Sequence, residues 1–334
     1  MLLTFEQVLA EAPQKKSRSV LLGNWFSRAC KDDIFNYATL FKQADFGPRE
    51  ESIRRVFEEL ETYDFEQVMR VLESPRPVLE GLGASSELQQ EVIDNGELLK
   101  NVLITAIVRT HPNRPYEIDD AAYVSTRKFL VLFGQIFSVA PDLLLYWARN
   151  KIKLEPVGHI GIDGFIKGEI WDGTGKGADQ NVYLLHGGLH LHEDDLFIRK
   201  HVYYQDGPTI VDQVRENLEK GQFPILVSEP TAEKKRKRIV SHPYLSFCFS
   251  ALGRLSGSLF VIGHAFGEHD RHLFDQALKS GNLRRVFVSL HGDENSPANQ
   301  QTKANARTFL GDLGDDDVQF FDAASLPIWG RADG

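Results

Sequence analysis

The sequence is poor in cysteine: its 334 residues include only Cys30 and Cys248, which lie far apart. Two cysteines cannot build a disulfide framework or a zinc site with four thiolate ligands. The chain also lacks any apolar run near the roughly 20 residues that a membrane span requires, and charges interrupt the N-terminus where a signal peptide is apolar. We therefore expect a cytoplasmic protein without a membrane partner.

Positive charge is outnumbered: 38 Lys and Arg residues stand against 47 Asp and Glu residues. The formal net charge is −9 and the pI is near 5.7, so an extended phosphate backbone would meet net repulsion. Nucleic acid is therefore not an expected partner. One basic run, from Lys234 to Arg238, is more typical of a solvated helix face than of a phosphate patch.

Short apolar runs that alternate with helical stretches predict the fold class. The first run, residues 19–22, ends at a glycine. Further runs predict strands at residues 135–139, 182–185, 224–227, 258–262, 285–290 and 318–321, and helical patterns fall at residues 210–219, 243–255, 268–279 and 298–310. Such alternation indicates parallel pairing with right-handed crossovers. We expect an α/β protein with a Rossmann-like parallel sheet of about six strands.

A long helical block separates the first strand from the others. From Ile34 to about Arg127, apolar residues recur at helical spacing, and prolines at positions 48, 75, 77 and 112 interrupt the pattern. We predict about four or five helices, with residues from about 45 to 130 forming an insertion over the carboxyl edge of the sheet in a single domain, residues 1–334. Later glycines, residues 158–177, predict a hairpin followed by a loop. From Trp329 onward we expect a loose tail.

Four short segments follow predicted strands, at the ends where open parallel sheets bind ligands. In the first segment, Gly23 permits a sharp turn beside Asn24, and the next helix would present N–H groups to a phosphate. An ordinary turn with Ser27 as the helix cap explains the same residues equally well. The fourth segment contains Gly263, His264 and Asp270 and suits a ribose or phosphate, although an ordinary turn is again an alternative.

The second and third segments carry ionisable side chains. Asp142, which follows Ala140 and a proline, could simply cap the apolar helix that comes next. His186 follows a strand and precedes two glycines, so its imidazole would face a cleft and could act as a general base near neutral pH. The alternatives are a packed histidine, or a metal site with His190 and His192 on one strand face. We do not expect a metal, because few carboxylate or cysteine ligands accompany these histidines.

Together these motifs resemble bacterial sirtuin-like NAD hydrolases. The motifs that carry the resemblance are Gly-Asn-x-x-Ser, Asp-Leu-Leu-Leu-Tyr-Trp, Leu-His-Gly, Val-Ser-Glu at residues 227–229, and a late Gly-His followed after five residues by Asp. Each motif is short, but their order and spacing span nearly the whole chain. More narrowly, they resemble a group long described as a domain of unknown function, whose relatives are effectors of anti-phage defence.

The resemblance implies a sirtuin-like fold and hydrolysis of NAD to nicotinamide and ADP-ribose, with NAD as substrate rather than cofactor. It implies that His186 is the base and that Asp142 holds its strand end or bonds the ribose. It places Gly23, Asn24 and Ser27 at the pyrophosphate. It places Gly263 and His264 near the adenosine ribose and includes Asp270 among the residues that bind the dinucleotide. Deacylating sirtuins share the fold but carry a zinc module with four cysteines, which this chain cannot build.

The chain departs from the family pattern at Ala140, where that pattern has a catalytic asparagine. Alanine has no donor or acceptor with which to orient water or a ribose hydroxyl. Either the asparagine was replaced deliberately or the natural protein has lost it, and the intact remaining motifs favour the first explanation. The alternative functions are a non-catalytic sensor of NAD or ADP-ribose and a structural subunit of a defence complex. Because an NAD-depleting effector must be held inactive, we expect a homo-oligomer or a regulatory partner from the same operon.

Overall fold

The computed structural model describes residues 2–12, 14–73, 75–166, 169–171, 180–194, 197–203 and 207–330. Within these ranges the strands are β1 (Arg18–Leu22), β2 (Gln135–Ser138), β3 (Phe165–Ile166), β4 (Ile170–Trp171), β5 (Val182–Leu184), β6 (Leu191–Glu193), β7 (Ile198–Lys200), β8 (Gly257–Ile262), β9 (Leu283–Leu290) and β10 (Val318–Asp322). The α-helices are α1 (Phe5–Ala10), α2 (Trp25–Cys30), α3 (Asp32–Phe35), α4 (Tyr37–Gln43), α5 (Glu50–Glu59), α6 (Phe65–Glu73), α7 (Arg76–Gly81), α8 (Ser86–Thr110), α9 (Asp120–Leu130), α10 (Leu144–Asn150), α11 (Ile210–Glu219), α12 (Ala232–Ser241), α13 (Pro243–Leu252), α14 (Arg271–Leu278) and α15 (Pro297–Phe309).

The described strands form two sheets. The larger one has six strands in the order β10-β9-β8-β1-β2-β5, and every neighbouring pair is parallel. Its central strand β1 buries Val20, Leu21 and Leu22 in succession, as expected for a strand covered on both faces. The α/β fold with a Rossmann-like parallel sheet, predicted from the alternation of strands and helices, is confirmed. The smaller sheet is antiparallel, in the order β3-β4-β7-β6.

One predicted strand is wrong. Residues 224–227 do not join the larger sheet, and Leu226 makes only an isolated antiparallel bridge to Gly187. The reason is that this apolar segment crosses the loop that follows β5. There the Ile225 N–H donates to the carbonyl of Leu191 at 2.8 Å, and the Ile225 carbonyl accepts the Gly188 N–H at 3.0 Å. The segment thus buries its side chains without adding an edge strand. The predicted hairpin is present as β3 and β4, whereas the loop expected after it lies outside the described residues.

Among its described residues the connection from β1 to β2 consists of helices joined by loops, without a strand. The block from Ile34 to about Arg127 contains the six helices α4 to α9, so the expectation of about four or five helices was too low. Proline lies at only some of the helix ends in this connection. Between α3 and α4, for example, the break is set by Asn36, whose side chain accepts the Thr39 N–H at 2.9 Å, a cap that satisfies a free donor of the new helix. The long helix α8 buries Leu99, Val102 and Ala106 in the same hydrophobic core as the sheet.

The direction of the chain across the larger sheet reverses at β1. From β1 the chain passes to β2 and β5 on one side, and later to β8, β9 and β10 on the other. Such a switch point is where open parallel sheets form a ligand crevice. Here the turns after β1 and β8 pack closely: a Cβ atom on Gly23 would lie 2.4 Å from the Gly263 carbonyl oxygen, and Gly263 itself has a φ of +65°. Both positions therefore require glycine.

The prediction of a loose tail from Trp329 onward is wrong for residues 329 and 330, the part of that segment that the structure describes. Trp329 is buried, its indole Nε1 donates to the Phe26 carbonyl at 2.8 Å, and its main-chain N–H donates to Thr126 Oγ1 at 2.9 Å. Residues 331–334 lie outside the described ranges. None of the described helices has both the length and the apolar character needed to cross a membrane.

Candidate ligand-binding site

A cavity of about 500 Å³ lies along the carboxyl edge of the larger sheet. Its volume is in the range of small-molecule sites. The cavity is lined by residues that follow each of the six described strands of that sheet. These residues are Asn24 after β1, Ala140 and Asp142 after β2, His186 after β5, Gly263 and His264 after β8, His291 after β9 and Ala323 after β10. The helical block adds wall residues, namely Tyr37, Leu40, Glu66, Leu103, Ile104 and Ile107.

The turn after β1 only partly meets the expectation of a phosphate site. Asn24 lines the cavity, but Ser27 is fully buried and donates its hydroxyl to the Asp142 carboxylate. The Gly23 N–H donates to the Ile262 carbonyl at 2.8 Å, and the N–H groups of the first residues of α2 donate to main-chain carbonyls as well. The helix therefore does not offer the free donors on which the phosphate prediction depended, and Asn24 is the predicted residue of this turn that reaches the cavity.

Asp142 fixes the strand end, one of its two expected roles. One carboxylate oxygen accepts the Ser27 hydroxyl and the other accepts the Leu144 N–H at 2.8 Å. His111 supports the same turn, because its Nδ1 donates to the Pro112 carbonyl at 2.7 Å and its Nε2 accepts the Leu143 N–H at 3.1 Å. Burial lowers the pKa of His111, which keeps the neutral form that this acceptor role requires.

His186 faces the cavity, as its position after a strand and before two glycines predicted, and its role as a base stays a prediction. It is 6% exposed and lines the cavity, and its Nε2 has no hydrogen-bond partner among the described residues. Burial and the nearby Lys235 ammonium hold the pKa of His186 well below its usual value, so the ring is neutral near pH 7. Asp270 Oδ1 lies 4.0 Å from this nitrogen and can stabilise a proton gained during a reaction.

Behind His186 lies a buried group of charges that sequence analysis missed. Lys235, in α12, is 1% exposed, and its ammonium donates to Asp270 Oδ1 at 2.8 Å and to Glu66 Oε1 at 3.0 Å. We call Glu66, Lys235 and Asp270 the Lys235 cluster. The basic run is therefore not entirely a solvated face. A signal was present, because Lys235 and the buried Ile239 are four residues apart and share one face of α12.

Ionisation within the Lys235 cluster follows from its contacts. Burial opposes the charge on Asp270, but Lys235 and the His264 ring, whose Nε2 lies 3.0 Å from Oδ2, hold the pKa of Asp270 well below its usual range. Burial would lower the pKa of Lys235, but the two carboxylates raise it. Burial raises the pKa of Glu66. Of the two carboxylates, Glu66 is therefore the one whose ionised form is less favourable in the folded protein.

A metal ion is a further chemical possibility at this edge. His186, Asp270 and His272 offer ligand atoms that all lie within 4.8 Å of one another. The Lys235 ammonium competes for the same carboxylate. The alternative grouping considered from sequence does not form: His190 packs on Tyr146 with ring centroids 4.9 Å apart, and His192 stacks on His201 at 4.1 Å.

Fold and cavity together define an α/β protein with a cavity at the switch point of a parallel sheet. A family model matches residues 20–329, so the chain belongs to the family described as Domain of unknown function (DUF4917). A search of curated proteins finds no match to this chain. The family description assigns no chemistry.

Proposed function

We propose that the cavity binds NAD and that its chemistry is hydrolysis of the bond between nicotinamide and ribose. The observation that carries this proposal is His186, a neutral buried imidazole with an unpartnered Nε2 in a cavity at the sheet's switch point. Asn24 and His264 line the same cavity and supply polar contacts for the rest of a dinucleotide. The motif resemblance to sirtuin-like NAD hydrolases supports the same reaction.

The reaction makes specific demands on these residues. As the glycosidic bond breaks, its electron pair goes to the ring nitrogen, which releases neutral nicotinamide and leaves positive charge on the ribose. A water oxygen then bonds to the sugar carbon and loses a proton to a base. His186 accepts that proton, and Asp270, 4.0 Å away, stabilises the imidazolium that results.

Ala140 limits what this chain can do. It lines the cavity at the end of β2, and its N–H donates to Ser138 Oγ at 3.2 Å. An alanine methyl cannot hold a water or a ribose hydroxyl in line, whereas an asparagine could. We therefore expect this chain to bind NAD and to cleave it slowly or not at all.

The test is nicotinamide release by this chain, by Ala140→Asn, and by Ala140→Asn combined with His186→Ala. We expect Ala140→Asn to create or increase cleavage, and His186→Ala to lower it about a hundred- to ten-thousand-fold, as for loss of a general base. His190→Ala is a matched control, because His190 is also buried and lies on the same segment but is not among the residues that line the cavity. Thermal melts of all variants separate lost chemistry from lost folding.

A non-catalytic sensor of NAD or ADP-ribose is the second candidate, and Ala140 is the observation that favours it. If Ala140→Asn is folded and binds NAD but releases no nicotinamide, even with a regulatory partner, the sensor is the better explanation. If calorimetry finds that the folded chain binds neither NAD nor ADP-ribose at millimolar concentration, both candidates are wrong. The role as an effector of anti-phage defence stays a prediction.

A further inference from the structure

Among the described residues, the cavity is lined by one arginine and one lysine, Arg28 and Lys235. Lys235 is not available to a ligand, because its side chain is 1% exposed and its ammonium donates to both oxygens of Glu66, at 3.0 and 3.2 Å, and to Asp270 Oδ1 at 2.8 Å. Burial and Lys235 also hold the pKa of His186 well below its usual value, so that imidazole adds no charge near pH 7. Of the arginine and the lysine, Arg28 is therefore the cation that an anionic ligand could reach.

The guanidinium of Arg28 keeps most of its donors for a ligand. Its Nε donates to Asp32 Oδ1 at 2.6 Å, whereas its two terminal nitrogens donate to none of the described residues. The side chain is 43% exposed, so these terminal nitrogens are accessible. A planar pair of N–H groups matches two oxygens of a phosphate. The bond to Asp32 thus holds one edge of the guanidinium and leaves the end with the two terminal nitrogens open.

Asn24 lies one helical turn before Arg28 on the same side of α2. The Arg28 N–H donates to the Asn24 carbonyl at 3.1 Å, and side chains four residues apart are neighbours on a helix. Asn24 also lines the cavity, and its side chain does not cap the helix, so its amide can donate to a ligand oxygen. Because the N–H groups of the first residues of α2 donate to main-chain carbonyls, a phosphate at this wall would be bound by side chains rather than by the helix terminus.

We infer that Arg28, with Asn24 beside it, binds the diphosphate of the ligand, so that the guanidinium of Arg28 sets the affinity of the cavity for phosphate-bearing nucleotides. This inference rests on the proposed function for the identity of the nucleotide. NAD and ADP-ribose share the diphosphate, whereas nicotinamide riboside lacks it. A contact to this shared part stabilises substrate and product alike. Arg28 therefore contributes equally to the binding of NAD and of its product ADP-ribose.

The test is calorimetry of NAD, ADP-ribose and nicotinamide riboside on this chain, on Arg28→Gln and on Arg28→Lys. We expect Arg28→Gln to weaken NAD and ADP-ribose by a similar factor, on the order of tenfold, because charge-assisted bonds to a phosphate are lost. Arg28→Lys should restore part of that loss, since an ammonium keeps the charge without the planar pair of donors. The affinity for nicotinamide riboside should not depend on residue 28.

Arg55→Gln is the matched control. Like Arg28, Arg55 lies on a helix four residues before an acidic partner, with its Nε 4.0 Å from Glu59 Oε1, but it is not among the described residues that line the cavity. This variant changes the net charge by the same amount and should leave all three affinities unchanged. Thermal melts establish that every variant is folded.

Unchanged affinities for NAD and ADP-ribose in Arg28→Gln would overturn the inference while the proposed function stands, and an equal loss in Arg55→Gln would overturn the assignment to Arg28. If the folded chain binds neither NAD nor ADP-ribose, the proposed function fails, and inorganic pyrophosphate probes the subsite directly. Pyrophosphate binding that Arg28→Gln removes would then support Arg28 as a phosphate-binding residue. Absence of such binding would overturn the inference as well.

Discussion

Two clusters of buried charge among the described residues differ in their relation to the cavity: one lies away from it and the other borders it. We call Arg149, Asp163 and Lys200 the Asp163 cluster. Its carboxylate accepts Lys200 Nζ at 2.6 Å and the Arg149 guanidinium at 3.2 Å. The same guanidinium also donates to the carbonyls of Ile160 and Gly161 at 2.7 and 3.0 Å. This cluster thus joins α10 to the loop before β3 and to β7, and its residues are not among those that line the cavity.

The Lys235 cluster borders the cavity, and buried ring nitrogens of neighbouring histidines lack hydrogen-bond partners within the described ranges. His186 Nε2 and both ring nitrogens of the adjacent His272 have no hydrogen-bond partner among the described residues. The two rings stack nearly parallel, with centroids 5.7 Å apart. The Asp163 cluster holds segments together away from the cavity, whereas unsatisfied polar atoms beside a cavity are typical of ligand sites.

Asp163→Asn should have the largest effect on stability. The substitution leaves two buried cations without their counter-charge, and breaking such a group costs about 3–5 kcal/mol. Urea denaturation measures this free energy of unfolding. NAD affinity of the protein that remains folded should not change. A variant of normal stability with weakened NAD binding would erase the distinction between the two clusters.

The pH dependence of stability should come next in size. Burial lowers the pKa of His272 from 6.5 to about 4, so the unfolded chain binds the proton first, and folded stability falls as the pH drops from 6.5 towards 4. The substitution His272→Phe should reduce the loss of folding free energy between pH 6.5 and pH 4 by an amount on the order of 3 kcal/mol. Urea unfolding at several pH values tests this, with the exposed His159→Phe as control.

The Asp163 cluster should behave differently over the same pH window. The neighbouring cations hold the pKa of Asp163 below its usual value of 3.8 despite burial, so its contribution is present above that value and is lost only in stronger acid. An unchanged slope between pH 6.5 and 4 in His272→Phe would show that the unpartnered imidazole is not the acid-sensitive element.

Glu66→Gln should have the smallest effect on stability, within about 1 kcal/mol at neutral pH. Burial raises the pKa of Glu66, so its charge already costs energy, and glutamine retains an acceptor for Lys235. Urea denaturation of Glu66→Gln and of the unchanged protein measures this difference in the free energy of unfolding. A loss as large as that of Asp163→Asn would make the Lys235 cluster a second structural anchor.

The sequence was sufficient to predict the sheet and much of the site, because the informative residues directly follow strands. Ala140, Asp142, His186, Gly263 and His264 each lie just beyond a strand end, and parallel pairing alone brings them to one edge. The prediction of a strand at residues 224–227 was wrong because an apolar run has the same sequence pattern whether it joins the edge of a sheet or crosses a loop.

Other features depended on tertiary packing. Glu66 and Lys235 lie on helices far apart in the chain, and no local pattern indicates that their side chains meet. Likewise the turn motif at Gly23 and Ser27 does not reveal whether its N–H groups are already bonded, which decides whether a phosphate can use them.

The central position of β1 has a consequence for how the protein forms. Its two neighbours are β2 and β8, both far along the chain, so the middle of the sheet cannot pair until most of the sequence has been made. Contacts of such high sequence separation favour slow folding. Residues at the end of every strand of this sheet contribute to the cavity wall. A nucleotide would therefore bind only after the whole sheet has assembled, and its binding would stabilise the folded chain against unfolding as a unit.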